Sequence, residues 1–276
     1  MNQQAAPPPL DRAGLARKRV AAARAALNDC RLCPHECGVD RLAGEQGQCH
    51  AGATARVFSA QVEVGDELEL IPTFAIAFSG CDMLCSFCIT GADSWNPRRG
   101  EPFDAAALAA KAGAARTVMI LGGEPTIHVP QLLELAAALP ASARLVLKTN
   151  AYLTGQARAL LAGVFDVWLA DYKFGNDRCA DQLAKVADYR RHVEETLLWA
   201  DGESQLIVRH LLMPGHVDCC WKPVAGWLAE NLPRVKVSLR DGYWPAWQAK
   251  RSGFVTRAEV ERARQIAHEY ELHLIT

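Results

Sequence analysis

From Thr73 onward one pattern repeats: a short apolar or β-branched run, a polar cluster, then a segment rich in Ala and Leu. The runs cover 73–78, 117–121, 144–148, 166–170, 205–211 and 235–239, and helices are predicted near 104–114, 130–138, 155–162, 186–200, 223–231 and 256–270. Near-continuous apolar strands alternating with helices dictate a parallel sheet with helices outside it. Six units fall short of a closed eight-stranded barrel, so the expected fold is α/β, an open partial (β/α)6 barrel. A short run at 271–275 adds an edge strand.

In such folds the loops at the carboxyl ends of the strands converge on one mouth, where ligands bind. Each strand end of this chain carries reactive or polar groups. The first leads into Phe78-Ser79-Gly80-Cys81-Asp82-Met83-Leu84-Cys85-Ser86-Phe87-Cys88. Three thiols so spaced suit three irons of a [4Fe–4S] cube and leave the fourth iron open to a small molecule. A zinc knot or three buried free thiols are the plainer alternatives. The second strand runs into Gly122-Gly123-Glu124-Pro125. This is either an ordinary turn or a place where glycines bring the backbone close to a ligand and Glu124 supplies an anion. Lys148-Thr149-Asn150 ends the third, suited to ribose hydroxyls, a carboxylate or a helix cap. Asp171-Tyr172-Lys173 ends the fourth, where strand alternation points the charged pair the same way. Arg209, His210 and His216 follow the fifth, and Tyr243-Trp244 the sixth, aromatics that cover an adenine or substrate or pack as a lid. Cys179 and the pair Cys219-Cys220 read as buried thiols, with hydrogen donation or metal ligation as alternatives.

Ahead of the sheet, residues 1–9 are polar and proline-rich and predict a disordered lead, and 11–28 predicts a surface helix. Cys30, Cys33, Cys37 and Cys49 lie among glycines that permit tight turns around an ion. They predict a small N-terminal cysteine-rich metal-binding module holding zinc or an auxiliary iron–sulfur cluster, which spacing alone does not separate. Short strands at 55–60 and 67–70 would connect it to the barrel. The expected organisation is therefore 1–29 lead and helix, 30–54 cysteine module, 55–72 connecting strands and 73–276 core. Thirty basic and thirty-one acidic residues give a net charge of −1, which predicts no bulk nucleic-acid or membrane-surface binding. With ten clustered cysteines and no apolar export signal, a reducing cytoplasmic setting is expected.

The three-cysteine spacing, with Phe87 just before its last thiol and Gly122-Gly123-Glu124-Pro125 one βα unit later, resembles the radical S-adenosylmethionine (SAM) enzymes. The segment Cys30-x2-Cys33-Pro34-x2-Cys37-Gly38-Val39-Asp40-Arg41, followed by Gly44-x2-Gly47-x-Cys49, resembles the extension of the PflX-like branch of the pyruvate formate-lyase activating-enzyme-like group. The resemblance implies a partial barrel of radical SAM type, with Cys81, Cys85 and Cys88 on a [4Fe–4S] cluster and SAM on its open iron. Phe87, Gly122, Gly123, Glu124 and Pro125 would bind the cofactor, and Asn150, Asp171, Lys173 and Arg209 would face its ribose, its carboxylate or the substrate. It implies cleavage of SAM to a 5′-deoxyadenosyl radical that abstracts hydrogen from a substrate, with flavodoxin or ferredoxin as electron donor. That substrate would be a protein, as for glycyl-radical activases, or a peptide or small molecule in a biosynthetic pathway. A small substrate would suit a closed pocket lined by Tyr152, Tyr172, Tyr243 and Trp244. A non-catalytic iron–sulfur or zinc protein is the reading from another class. Lys148-Thr149-Asn150-Ala151 and Ile89-Thr90 depart from the Asp-Thr-Asn-Gly and Gln-Asn-like patterns usual in activating enzymes.

Overall fold

Apolar runs with two faces to bury become the central strands of one curved sheet. The computed structural model describes residues 11–250 and 253–275, so the 1–9 lead lies outside the described residues. The elements, in order, are α1 (Arg12–Ala25), β1 (Arg56–Glu63), β2 (Thr73–Phe78), α2 (Gly91–Trp95), β3 (Glu101–Pro102), α3 (Ala105–Ala112), β4 (Thr117–Gly122), α4 (Val129–Ala138) and β5 (Arg144–Thr149). There follow α5 (Gly155–Leu161), β6 (Val167–Asp171), α6 (Asp177–Ala184), α7 (Tyr189–Glu203), β7 (Gln205–Leu211), α8 (Lys222–Asn231), β8 (Lys236–Arg240), α9 (Arg257–Glu269) and β9 (His273–Ile275). The sheet order is β3-β1-β2-β4-β5-β6-β7-β8-β9. Every pair from β2 to β9 is parallel, in registers such as Ile76 with Ile120 and Leu169 with Ile207. β1 is antiparallel to both its neighbours, so the sheet is mixed and the barrel incomplete.

Alternation sorts the strand residues into two apolar groups. Phe74, Ile76, Phe78, Ile120, Leu147, Trp168 and Val208 face the helices, whereas Met119, Val146, Val167, Leu169 and Ile207 form a separate inner cluster with Leu70. Leu70 belongs to the stretch expected as a second connecting strand. That expectation is corrected: 67–70 is a turn, closed by the Leu70 amide on the Glu67 carbonyl at 2.9 Å, and β1 alone spans the connection. The turn closes the amino-terminal end of the barrel. Leu70 fills the interior, and Glu69 bonds residues at the strand starts, namely Arg144, Gln205 and Lys236. Its alternating acids and leucines imitate a strand because one side is buried and the other exposed, with Leu68 70% accessible.

The helix expected at 186–200 is α7, Tyr189–Glu203; α6, which the sequence reading did not include, precedes it, capped by the Asn176 side chain on the Cys179 amide and stopped by Lys185 in the left-handed region. The predicted surface helix α1 buries Ala16 and Ala23, and its Arg12 donates to the Ala143 and Pro140 carbonyls at 2.9 and 2.7 Å. Among the described residues no helix is long and apolar enough to cross a membrane.

The segment predicted as a cysteine-rich module lies over the carboxyl ends of the strands. Arg41, 2% exposed, donates to the Ile127 carbonyl at 2.7 Å and to Gly52, while Thr154 Oγ1 donates to the Arg31 carbonyl at 2.8 Å. The sequence placed the second metal site here. Among the described residues, however, the group of three or more ligating side chains whose donor atoms lie within 4.8 Å of one another is mid-chain: Cys179, His216, Cys219 and Cys220. A compact cysteine motif need not draw its sulfurs together, and residues forty positions apart can.

Candidate active site

At the end of β2 the chain leaves the sheet through Gly80, whose φ of +92° favours glycine, and enters the three-thiol loop. The loop is tied at several points. Leu84 and Ser86 donate to the Ala184 and Leu183 carbonyls at 2.9 and 2.8 Å, and Ser86 accepts from Gln248 and Ala249. Phe87 packs between Phe174 and Tyr243, with ring centroids 6.2 and 6.1 Å away. The Met83 amide donates to Cys81 Sγ at 3.4 Å, and the Thr90 hydroxyl lies 3.3 Å from Cys88 Sγ. Burial pushes the Cys85 thiol up to about 12, against the pull of Lys173, and raises the Cys81 thiol well above the usual range with help from Asp82. Thiolates here need a cation to form.

Gly122 and Gly123 are required by the fold itself. A Cβ on Gly122 would meet the Phe78 carbonyl oxygen at 2.2 Å, and one on Gly123 would meet the Gly80 oxygen at 2.0 Å. Their backbone closes onto the cysteine loop: Gly123 and Glu124 donate to Phe78 and Gly80 at 2.9 and 2.8 Å. Glu124 is fully buried and opens the short 3-10 turn that begins with Pro125. Its carboxylate accepts from the Thr126 amide and hydroxyl, from Thr149 Oγ1 at 2.8 Å and from the Asn150 amide at 2.7 Å. Asn150 in turn donates through Nδ2 to Asp82 Oδ1 at 2.7 Å. Ala151, where activating enzymes have glycine, keeps a φ of +60°.

Asp82 is the residue that sequence reasoning passed over. It is 1% exposed, and its Oδ2 has no hydrogen-bond partner. Burial lifts its carboxyl to about 6, and burial together with Asp82 lifts Glu124 to about 7. Two carboxylates joined through Asn150 therefore offer one unpaired acceptor next to Cys81. The signal available was position alone: an acid directly after the first thiol of the loop.

The other expected side chains form a charged belt across the barrel interior. Lys173 pairs with Asp171, as alternation foresaw. Arg209 donates to Asp66 Oδ1 at 2.9 Å, and Lys148 to Asp66 Oδ2 at 2.7 Å. Asp66 and Glu67 rise from the turn below, an arrangement that the sequence did not reveal. Lys173 stays charged despite burial because the Asp171 carboxylate outweighs it. Tyr172, between the charged pair, points the other way, into the helix layer beside Trp227 and Tyr189. Tyr152 is 2% exposed and donates to the Ala187 carbonyl at 2.7 Å, whereas Trp244 is 63% exposed and meets Phe254. The closed aromatic pocket expected from Tyr152, Tyr172, Tyr243 and Trp244 is therefore not assembled. His210 is a buried neutral residue at the Tyr172 carbonyl, its pKa lowered to about 4 by burial.

The N-terminal cysteines sit on the far side of Asp82. His35 Nε2 bonds the Asp82 carbonyl at 2.8 Å, and the charge of Asp82 raises both Cys33 and Cys49 after burial has done so. Cys30 pairs with Val39 in an isolated bridge, and the Gln48 amide donates to Cys37 Sγ at 3.4 Å.

The uncharacterized protein MJ0674 of Methanocaldococcus jannaschii is 31% identical, over 93% of this chain and 79% of that one. Streptococcus suis SuiB bound to S-adenosylmethionine has a similar fold, with a TM-score of 0.53 at 17% identity over 71% of this chain and 48% of SuiB. A radical SAM methyltransferase from Sphaerobacter thermophilus gives 0.54 at 19% identity, over 72% of this chain and 64% of that one. This chain thus spans about half the length of SuiB. Residues 76–228, more than half of the chain, match the family described as the Radical SAM superfamily, and they contain the cysteine loop and every strand end from β2 to β7: the chain belongs to the radical SAM superfamily and is a radical SAM enzyme.

Proposed function

We propose that this enzyme binds a [4Fe–4S] cluster on Cys81, Cys85 and Cys88, holds SAM against it, and abstracts hydrogen from a peptide or protein segment. The chemistry supplied when both groups are bound is one-electron cleavage of SAM to methionine and a 5′-deoxyadenosyl radical. The observation that carries the reading is the unpaired Asp82 Oδ2, buried beside Cys81 and joined through Asn150 to Glu124. It supplies an anionic acceptor where the SAM ammonium would sit, so Asp82 joins the expected set of Phe87, Gly122, Gly123, Glu124, Pro125 and Asn150. Glu124 and the two glycines act by fixing β4 and β5 against the loop. Lys173, held by Asp171, and Arg209 put positive charge toward the cluster side of the barrel.

A peptide-sized substrate is supported by the rim. Tyr172 points into the helix layer, and Ile89, Trp244 and Phe254 stand exposed near the strand ends. SuiB, of similar fold, has been solved with its precursor peptide SuiA. Cys30, Cys33, Cys37 and Cys49 would hold an auxiliary cluster. Asp82 couples them to the core thiols, its charge raising both Cys33 and Cys81. The test is anaerobic reconstitution, reduction by dithionite and assay for 5′-deoxyadenosine. Formation in the wild type, none in Cys81→Ala and a raised KM for SAM in Asp82→Asn are expected. Equal output from wild type and Cys81→Ala would sink the proposal.

A further inference from the structure

Two loops at the carboxyl ends of neighbouring strands meet outside the site described above. After β6, Phe174-Gly175-Asn176 leads into α6, where Cys179 is buried. After β7, Gly215-His216 leads into a π-helical turn, Val217–Trp221, that carries Cys219 and Cys220. The turn is wide, with the Trp221 amide reaching back to the His216 carbonyl at 3.3 Å, and such turns concentrate at functional sites.

The four side chains converge. His216 Nδ1 lies 3.7 Å from Cys179 Sγ, 3.3 Å from Cys219 Sγ and 3.7 Å from Cys220 Sγ. Cys219 Sγ lies 4.0 Å from both Cys179 Sγ and Cys220 Sγ, and all four donor atoms fall within 4.8 Å of one another. A tetrahedral zinc with sulfur at about 2.3 Å and nitrogen at about 2.0–2.1 Å has edges of about 3.8 Å between sulfurs and about 3.5 Å from sulfur to nitrogen. The observed edges scatter around those values. At 4.0 Å the sulfurs are not bonded, since a disulfide needs about 2.05 Å. An iron–sulfur cube puts each thiolate on a different iron and spreads the sulfurs more widely.

The surroundings are built for the group. A Cβ at Gly175 would meet the Cys220 carbonyl oxygen at 2.3 Å. Asn176 bridges the two loops, accepting from the Cys179 amide at 2.8 Å and donating to the Cys219 carbonyl at 2.7 Å. Glu259, which accepts from the Gly215 amide at 2.6 Å, brings negative charge to His216. Such partners orient metal ligands.

We propose that Cys179, His216, Cys219 and Cys220 bind one zinc ion in a closed tetrahedral site that staples the loops after β6 and β7. Three thiolates and an imidazole in a tetrahedron select zinc. Four protein ligands leave no open position, so the ion is structural. It fixes the wall of the mouth that presents Lys173 and Phe174, the residues just ahead of Gly175.

The test is elemental analysis and zinc-edge X-ray absorption on the full chain, purified anaerobically from medium containing iron and zinc. The expected result is one zinc per chain, with a shell of three sulfurs and one nitrogen. The zinc is lost in Cys219→Ala/Cys220→Ala with iron unchanged, and kept in Cys30→Ser/Cys33→Ser. Absence of zinc, a four-sulfur shell, or zinc lost with Cys30 and Cys33 overturns the proposal. The absorption shell of the wild type decides the matter even where a variant fails to fold.

Discussion

Two groups of soft ligands flank the core thiols, and they invert each other's relation between sequence and space. Cys30, Cys33, Cys37 and Cys49 are crowded within twenty positions, yet no three of their sulfurs come within 4.8 Å of one another. Cys179, His216, Cys219 and Cys220 span more than forty positions and converge as tightly as one ion requires. The first group rides on irregular backbone pinned by Arg41; the second is set by two strand ends and a helical turn. Regular elements bring distant residues to fixed places. A motif of close cysteines guarantees only that they are neighbours along the chain.

The largest effect expected is a division of metals. Cys33→Ser/Cys37→Ser should remove roughly half of the iron in a reconstituted enzyme and leave zinc intact, as two cubes share the iron equally. Cys179→Ser should do the reverse, and a single profile for both variants, by plasma mass spectrometry with electron paramagnetic resonance, would erase the distinction. Next in size is stability. Removing zinc, by chelator or by Cys219→Ser, should lower unfolding free energy by about 3 kcal/mol, or roughly 6–12 °C in Tm, because metal loss is among the few mechanisms with effects of that size. Cys37→Ser, at an exposed site, should change Tm by less than half as much in calorimetry.

A smaller change follows from Asn176→Ala. It removes the α6 cap and the bridge to Cys219, so stability should drop by about 1 kcal/mol and zinc affinity by roughly 10-fold in competition with a chromophoric chelator. The smallest concerns the histidines that end β7. His216 is bound to metal in this reading and does not titrate, whereas His210 stays neutral in the folded state down to about 4. The unfolded chain binds that proton near pH 6.5, so stability is full above this value and falls as pH drops toward 4. Between pH 7 and 5.5 urea unfolding should lose about 1 kcal/mol through His210, and His210→Gln should remove that slope. An unchanged slope would place His210 among solvated groups.

Much of this was legible in the residues. The strand runs were readable because each needs apolar side chains on two faces, and the pairing of Lys173 with Asp171 followed from alternation. Tyr172 was misassigned to the mouth although the same alternation turns it outward. The turn at 67–70 was hidden because Leu70 and Leu68 mark one buried and one exposed side, which is also how an edge strand reads. The unpaired oxygen of Asp82 depends on the placement of Asn150 two βα units later, and no local pattern encodes it. The Cys/His group did leave a trace: His216, Cys219 and Cys220 stand at i, i+3 and i+4, one face of a helical turn. Their fourth member needed the sheet.

The turn beneath the barrel also bears on the order of assembly. Glu69 finds its partners 75, 136 and 167 residues downstream, at Arg144, Gln205 and Lys236. Contacts of such sequence separation form late, since the intervening loop must be closed before any bond rewards it. During synthesis Leu70, Asp66 and Glu67 emerge early and wait for β7 and β8. The floor of the barrel is thus among its last parts to set, so a nascent chain ending before Lys236 should leave its interior acids and its inner leucine in water.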